Sequence, residues 1–238
     1  PLHPAKQEDD PIPVGFDETG QFLNNGLMDW NQLESEIKEV FRGDASGHDA
    51  AHTLRVANLA RAIAREEGAD EELCRLAALL HDVDDWKLVG GAMGQSTRAR
   101  ALMARHHVGK DTQEQVVGII ASVSFKGTDS VVPPTLEGKV VQDADRLDAI
   151  GAIGVARAFA YGGAHGRVMY DPEIPPRPDM DEKAYMANRG TTINHFYEKL
   201  LLLGDMMQTA AGKTIAASRH AYLKAFLEEF LAEWQGNR

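Results

Sequence analysis

Leu73-Cys74-Arg75-Leu76-Ala77-Ala78-Leu79-Leu80-His81-Asp82 is the stretch on which the reading of this chain turns. Leu73, Leu76, Ala77 and Leu80 recur at i, i+3, i+4 and i+7, the spacing of one helical face. His81 follows on the same stripe, Asp82 comes directly after it, and Asp84 and Asp85 lie just beyond. An imidazole and a carboxylate at the end of an apolar stripe are costly to bury unless something pairs them. A divalent metal does so, and both groups are ligands for one. Alone, a His-Asp pair is weak support, because most buried polar groups find ordinary hydrogen bonds. Its weight depends on what the neighbouring segments carry.

Upstream, Asp29 can cap a helix to about Phe41, with Trp30, Leu33, Ile37 and Phe41 on one face. After the turn Gly43–Gly47, a helix from about Asp49 to Glu67 presents Val56, Leu59, Ala60, Ile63 and Ala64, with His52 pointing the same way. Arg55, three residues on, neighbours His52 along that helix. Gly68 ends it, and Asp70 can cap the helix that leads to His81. Downstream, residues 84–95 form a Gly-rich loop, followed by helices over about 96–107 and 111–123. Pro133-Pro134 restarts the pattern, and one helix is expected from Leu136 through the 150s, with Val141, Asp145, Asp148 and Ala152 on one face. A Pro- and Gly-rich loop covers 162–180. Asp181 then opens a helix carrying Ile193, Phe196, Leu200 and Leu203. A last helix, about 213–235, carries Ile215, Arg219, Tyr222, Phe226 and Phe230. No stretch alternates with period two. The expected class is all-α, a bundle of roughly eight to ten helices. Residues 1–28, with four prolines and no period, read as an irregular arm before a single domain, 29–238.

The chain is long enough for one sizeable core. Its formal charge of −11 argues against binding a nucleic-acid polymer, since such proteins are more often basic. A single cysteine, Cys74, excludes an internal disulfide. No apolar run reaches the roughly 18 residues needed to span a bilayer. A cytoplasmic protein is expected, with neither membrane nor nucleic acid as partner; a homodimer is allowed.

Three predicted helices thus carry metal-type groups on apolar faces: His52, His81-Asp82 and Asp145. Two imidazoles and two carboxylates suit a divalent ion such as Mn, Fe, Co, Ni or Zn. The set resembles the HD-domain metal-dependent phosphohydrolases, whose pattern is His, His-Asp, Asp on a helical bundle. It stands here as His52-Thr-Leu-Arg-Val, His81-Asp82, and Asp145 within Gln142-Asp-Ala-Asp-Arg-Leu-Asp. The resemblance runs from about Gly47 to Trp234, extends to Ser124-Phe-Lys-Gly127, Glu198-Lys-Leu-Leu201 and Thr209-Ala-Ala-Gly-Lys213, and is similar to small stand-alone bacterial-type HD hydrolases. It implies His52, His81, Asp82 and Asp145 as ligands of one divalent ion (Mn, Fe, Co, Ni, Zn or Mg, with Mn or a Ni/Fe-like ion preferred). Asp145 is chosen over Asp143 because it directly precedes Arg-Leu; Asp143 is read as an N-terminal helix acid. His48 is given a capping or supporting role. His106, His107 and His195 match no second-metal motif, and position 123, a histidine in some relatives, is Val123.

An ion in such a site lowers the pKa of water and polarises a phosphoryl oxygen. The resemblance places Asp85 as general acid/base, with Asp84 as second choice. Cations for an anionic substrate are sought in Arg55, Lys87, Lys126 and Lys199, then Lys213 and Arg219. Arg146 is read as a structural partner of nearby acids, and Trp86 as packing against the domain. The expected partner is a small phosphorylated substrate, in the first instance a nucleoside triphosphate split to monophosphate and pyrophosphate. A 5′-nucleotidase, a phosphodiesterase of a small ester, and a metal-dependent nucleotide-binding regulatory module without turnover are the alternatives.

Overall fold

The computed structural model describes residues 28–43, 49–84 and 96–238. The arm proposed for 1–28 therefore lies almost wholly outside the described residues, as do His48, Asp85, Trp86 and Lys87. Among the described residues there is no strand, and the all-α expectation holds. None of the helices among the described residues is long and apolar enough to cross a membrane.

Helix α1 (Trp30–Val40) starts where the Asp29 carboxylate accepts the Gln32 N–H at 3.0 Å, and buries Leu33 and Ile37. Helix α2 (Ala50–Glu67) is capped by Asp49 and ended by Gly68 in the left-handed region. Helix α3 (Glu71–Leu80) is capped by Asp70, with Glu71 and Glu72 favourably placed in its first turn. Helix α4 (Thr97–Arg105) and helix α5 (Lys110–Val123) lead through a 3₁₀ turn (Gly127–Asp129) to helix α6 (Leu136–Asp148), capped by Thr135. Helices α2, α3 and α6 pack on one another at the centre, with α5 against α3 and α6. The three central helices bury Val56, Ala60, Leu76, Leu79, Leu80, Val140, Ala144 and Leu147.

The expected helix through the 150s is broken. Ile150 is extended and Gly151 takes φ +76°, so a separate helix α7 (Gly151–Ala164) sets off in a new direction. The break has a packing cause. A Cβ on Gly151 would stand 3.0 Å from Arg219 Cγ, and the Arg219 guanidinium donates to the Leu147 carbonyl at 2.5 Å, filling the end of α6. Ala152, placed by sequence on the α6 face, is consequently exposed on α7.

The helix expected from Asp181 is also divided. Asp181 caps only the short α8 (Glu182–Ala187). The chain then extends through Asn188–Gly190, and Thr191 caps α9 (Thr192–His195). That helix widens into a π-helical turn (Phe196–Leu200) and continues as α10 (Leu201–Leu203). Thr209 caps the last helix, α11 (Ala210–Trp234). Its buried stripe is Ala216, Leu223 and Leu227; Tyr222, assigned to the inner face by sequence, is half exposed. Phe159, Phe196, Phe226 and Phe230 join α7, the π-helical turn and α11 through ring contacts at 5.5–6.3 Å.

Candidate metal centre

The central trio brings the four sequence-selected groups to one point. His52, in the first turn of α2, is 1% exposed. His81 directly follows α3, with Asp82 next along, and Asp145 lies in the last turns of α6. The His52 Nε2 atom stands 3.4 Å from Asp82 Oδ2 and 3.4 Å from Asp145 Oδ1. His81 Nε2 stands 3.3 and 3.5 Å from the same two oxygens. The rings meet edge to face at 5.2 Å. The histidines form the floor, and the carboxylates, with side chains 15% and 24% exposed, form the mouth.

Each imidazole has its other nitrogen committed. His52 Nδ1 lies 2.7 Å from Asp148 Oδ2, and His81 Nδ1 lies 2.7 Å from the Ala78 carbonyl. A carbonyl can only accept, so His81 Nδ1 carries a proton and its Nε2 is left to act as a ligand. That Nε2 is buried and has no hydrogen-bond partner, although two carboxylate oxygens are near it. Groups that face a common centre, and not each other, have this geometry. Ligand atoms about 2.1 Å from one ion stand roughly 3–3.4 Å apart when they are neighbours. The residues present therefore fit a divalent cation. Charge agrees: Asp148 is neutralised by Arg55 and Arg157, so among the described residues Asp82 and Asp145 are the carboxylates left for a dication.

Asp148 is the residue that sequence reading missed. Arg55 grips it with Nε on Oδ1 at 2.8 Å and Nη2 on Oδ2 at 2.9 Å, and Arg157 Nη1 reaches Oδ2 at 2.9 Å from α7. Arg55 thus holds the acid that holds His52, with its Nε and Nη2 committed to Asp148. The signal available was the spacing: Asp148 is three residues after Asp145 on the same face. Nothing in the sequence marks Arg157.

The remaining candidates sort as follows. Asp84 accepts the Arg98 and Ala99 N–H groups at 2.8 and 2.9 Å, which makes it the cap of α4 in place of Ser96. Both its oxygens are taken, which argues against its use as an acid/base. Asp143 lies in the middle of α6, fully buried, and not at a helix start. It accepts the Thr209 hydroxyl and N–H at 2.7 Å and the Gln208 N–H at 2.9 Å, fixing the turn that starts α11. Lys126 pairs with Glu182 at 3.1 Å. Arg219 and Arg146 donate to carbonyls, Arg146 to Met206 at 2.6 Å. Lys213 is exposed on α11. His106 meets Glu36 of α1 at 3.3 Å. Lys199 extends over the rings of Phe125 and Tyr185, at 5.3 and 5.9 Å.

A model of the HD domain matches residues 49–150, the span from the cap of α2 to the end of α6. The YpgQ protein of Bacillus subtilis is 36% identical over 205 residues, covering 85% of this chain and 92% of its own. The chain belongs to the HD-domain family. A solved HD-superfamily hydrolase of Bacillus thuringiensis is 42% identical, with a TM-score of 0.66 over 86% of this chain and 96% of its own. YpgQ solved in complex with ADP superposes with a TM-score of 0.65 at 33% identity, over 85% of this chain and 96% of that one. A deoxyguanosinetriphosphate triphosphohydrolase-like protein of Rhodopseudomonas palustris is 34% identical over 123 residues, half of this chain and 30% of its own. HD domains bind divalent metals, and in this HD protein His52, His81 and Asp82 offer ligand atoms all within 4.8 Å of one another.

The electrostatics of the metal-free centre give a pH prediction. Burial is the largest single influence on His52 and opposes its charge, but Asp145, Asp148 and Asp82 together raise its pKa from 6.5 to about 9. Burial likewise opposes charge on His81, and Asp82 and Asp145 hold it well above the ordinary value. The stabilisation from the His52 imidazolium is therefore fully present below pH 6.5 and is lost as pH rises through about 9. Metal binding needs neutral imidazoles, so proton competition fades over the same window. The rise in melting temperature caused by excess Mn²⁺ should accordingly grow from pH 6.5 to 9. Melting curves with and without the ion test this; a constant shift across that range would count against the site.

Proposed function

We propose that the protein is a metal-dependent phosphohydrolase of nucleotides, acting on a (deoxy)nucleoside triphosphate to give the monophosphate and pyrophosphate. The convergence of four ligand groups around the orphaned Nε2 of His81 carries this reading. Membership of a hydrolase family, the ADP held by YpgQ and the triphosphohydrolase-like relative support it. His52, His81, Asp82 and Asp145 would hold the ion, which supplies Lewis acidity toward a phosphoryl oxygen and a lowered water pKa.

The chain's own groups do the rest. Asp148, locked by Arg55 and Arg157, keeps His52 in one tautomer and one orientation. The partly exposed Asp82 and Asp145 leave the mouth open to substrate. Asp85, three residues beyond Asp82, takes the proton of the attacking water as that oxygen bonds to the α-phosphorus. The α–β bridging bond breaks, and pyrophosphate leaves with the electron pair. With Arg55 and Lys126 engaged elsewhere, Lys199 and the exposed Lys213 are the sequence-selected lysines that remain among the described residues. A cytoplasmic site of action is part of the same proposal.

The test is product analysis. Protein loaded with Mn, Co, Ni or Mg is incubated with a nucleotide panel, and the released ion is identified. Pyrophosphate is the expected product. Orthophosphate from monophosphates points to a 5′-nucleotidase and opening of a cyclic ester to a phosphodiesterase. Absence of any turnover by protein of proven metal content removes the enzyme reading.

A further inference from the structure

We infer that Arg219 is a positioning residue of the metal centre, through which the last helix, α11, holds Asp145 and Asp148 in place against the histidines. The inference rests on the metal site of the reading above, and not on the reaction assigned to it. It lies beyond the HD-matched span, 49–150, because α11 begins at Ala210.

Helix α6 has two working faces near its end. Asp145 and Asp148 share one, since residues three apart are neighbours on a helix, and both meet His52. Asp143 and Arg146 are turned to the other side, at about 100° per residue. Both are buried, and both reach the segment that leads into α11. Asp143 accepts the Gln208 and Thr209 N–H groups, and Arg146 donates to the Met206 carbonyl. The Thr209 hydroxyl donates to Asp143 and accepts the Gly212 N–H at 2.9 Å. A Cβ on Gly212 would stand 2.5 Å from Asp143 Oδ2, so the two helices meet there without a gap. Glu67, at the end of α2, accepts the Ala211 N–H at 2.7 Å. The start of α11 is thus tied to the helix that supplies Asp145 and to the helix that supplies His52.

Arg219, further along α11, closes the grip. Its guanidinium donates to the Leu147 carbonyl at 2.5 Å, at the end of α6 where the helix dipole favours a cation. That carbonyl and the Asp148 N–H belong to one planar peptide unit, so fixing the first orients the second. The stem of the same side chain lies over Gly151. A Cβ there would stand 3.0 Å from Arg219 Cγ and 3.2 Å from its Cβ. Only glycine fits, and its φ of +76° turns the chain into α7. Helix α7 then brings Arg157 back to Asp148 Oδ2 at 2.9 Å.

One side chain of α11 therefore touches both the peptide before Asp148 and the bend that delivers Arg157 to it. Asp148 in turn orients His52 through the 2.7 Å contact with Nδ1. A binding constellation has to be held to within about 0.5 Å, and supporting groups do this holding. Without the Arg219 donor, the last turn of α6 loses its fixed end. Asp145, on the same face as Asp148 and in the same turn, shifts with it. The consequence falls on the ligand geometry and hence on the affinity for the ion.

The experiment measures Mn²⁺ affinity by calorimetry and the visible absorption of the Co²⁺-loaded protein, whose bands report ligand geometry. Arg219→Met keeps an apolar stem and loses the donor. It should bind Mn²⁺ at least tenfold more weakly and shift the Co²⁺ bands. Arg219→Lys can still donate to the Leu147 carbonyl and should stay within threefold of wild type. Leu227→Ala opens a cavity at a buried position about two turns further along α11. It should lower the melting temperature yet keep Mn²⁺ affinity within threefold and the Co²⁺ bands in place. Wild-type affinity and bands in folded Arg219→Met overturn the inference. So does an equal loss of affinity in Leu227→Ala, which is the sign of general loosening. Should Arg219→Met fail to fold, Thr209→Ala decides, since it releases Asp143 at the other end of the grip. A loss of threefold or more with shifted bands then supports the inference, and wild-type behaviour overturns it. A wild type that takes up neither ion overturns the metal site and this inference together. A wild type that binds both and leaves every nucleotide intact overturns the hydrolase reading alone.

Discussion

His81→Ala abolishes divalent-metal binding, and with it any hydrolysis, while leaving the helical fold in place. The expected loss in metal affinity is at least about a thousandfold, roughly 4 kcal/mol at 1.36 kcal/mol per decade. The reason lies in how the imidazole is held. Its Nδ1 proton is fixed on the Ala78 carbonyl at 2.7 Å, so the ring is already oriented with Nε2 toward Asp82 and Asp145 and has only its Nε2 proton to give up when an ion arrives. Nε2 is buried without a hydrogen bond and faces the Asp82 and Asp145 carboxylates at 3.3 and 3.5 Å, the two groups that would share the ion with it. Removing the ring also takes a positive charge from beside Asp82 and Asp145, so the metal-free variant loses some stability on top of the cost of the small cavity. Metal content after dialysis, read by mass spectrometry beside circular dichroism, decides it. A folded variant that retains stoichiometric metal at wild-type affinity would falsify the placing of His81 in the centre.

How much of this was legible beforehand differs by element. The helices of the centre declare themselves through caps and stripes. Asp49, Asp70 and Thr135 each accept N–H groups at a helix start, and the apolar spacing of Leu73–Leu80 leads straight to His81. The Ala149–Gly154 break was not legible. Its small residues suit a close helix crossing as well as a turn, and the deciding partner, Arg219, comes from α11. The same holds for charge. Arg55 draws attention by its helix register beside His52, Lys126 by its place in a family-like segment, and Asp84 by its position just after His81-Asp82. Their partners, Asp148, Glu182 and the start of α4, are supplied by tertiary packing. Local pattern identified the groups that converge on the ion; which surrounding charges are already engaged emerged only with the fold.

Asp148→Asn should weaken metal affinity by about 10–100-fold, the usual effect of losing the acid behind a ligating histidine. It should also lower stability by roughly 2–4 kcal/mol, as expected for breaking one side of a buried ion pair. Asp148 Oδ2 is shared by His52 Nδ1, Arg55 and Arg157, and Oδ1 takes Arg55 Nε. All of these are donors, so a carboxylate satisfies them and an amide cannot. Whichever way the asparagine turns, its NH₂ group faces a guanidinium or the imidazole. The loss falls toward the lower end of that range, because the Arg55 side chain is 37% exposed and water screens it once released. Burial works against the charge on Asp148, but His52, Arg55 and Arg157 hold its pKa down at about 2. Its contribution is thus present above the ordinary carboxylate value of 3.8 and is lost only as pH falls toward about 2. The metal-affinity loss should therefore appear undiminished at neutral pH. A positioning role also predicts that saturating metal restores much of the turnover in Asp148→Asn, whereas His81→Ala stays inactive at any metal concentration. Titration of activity against Mn²⁺ in the two variants separates these behaviours, and wild-type metal affinity in Asp148→Asn would show that the Arg55–Asp148–Arg157 cluster serves the fold alone.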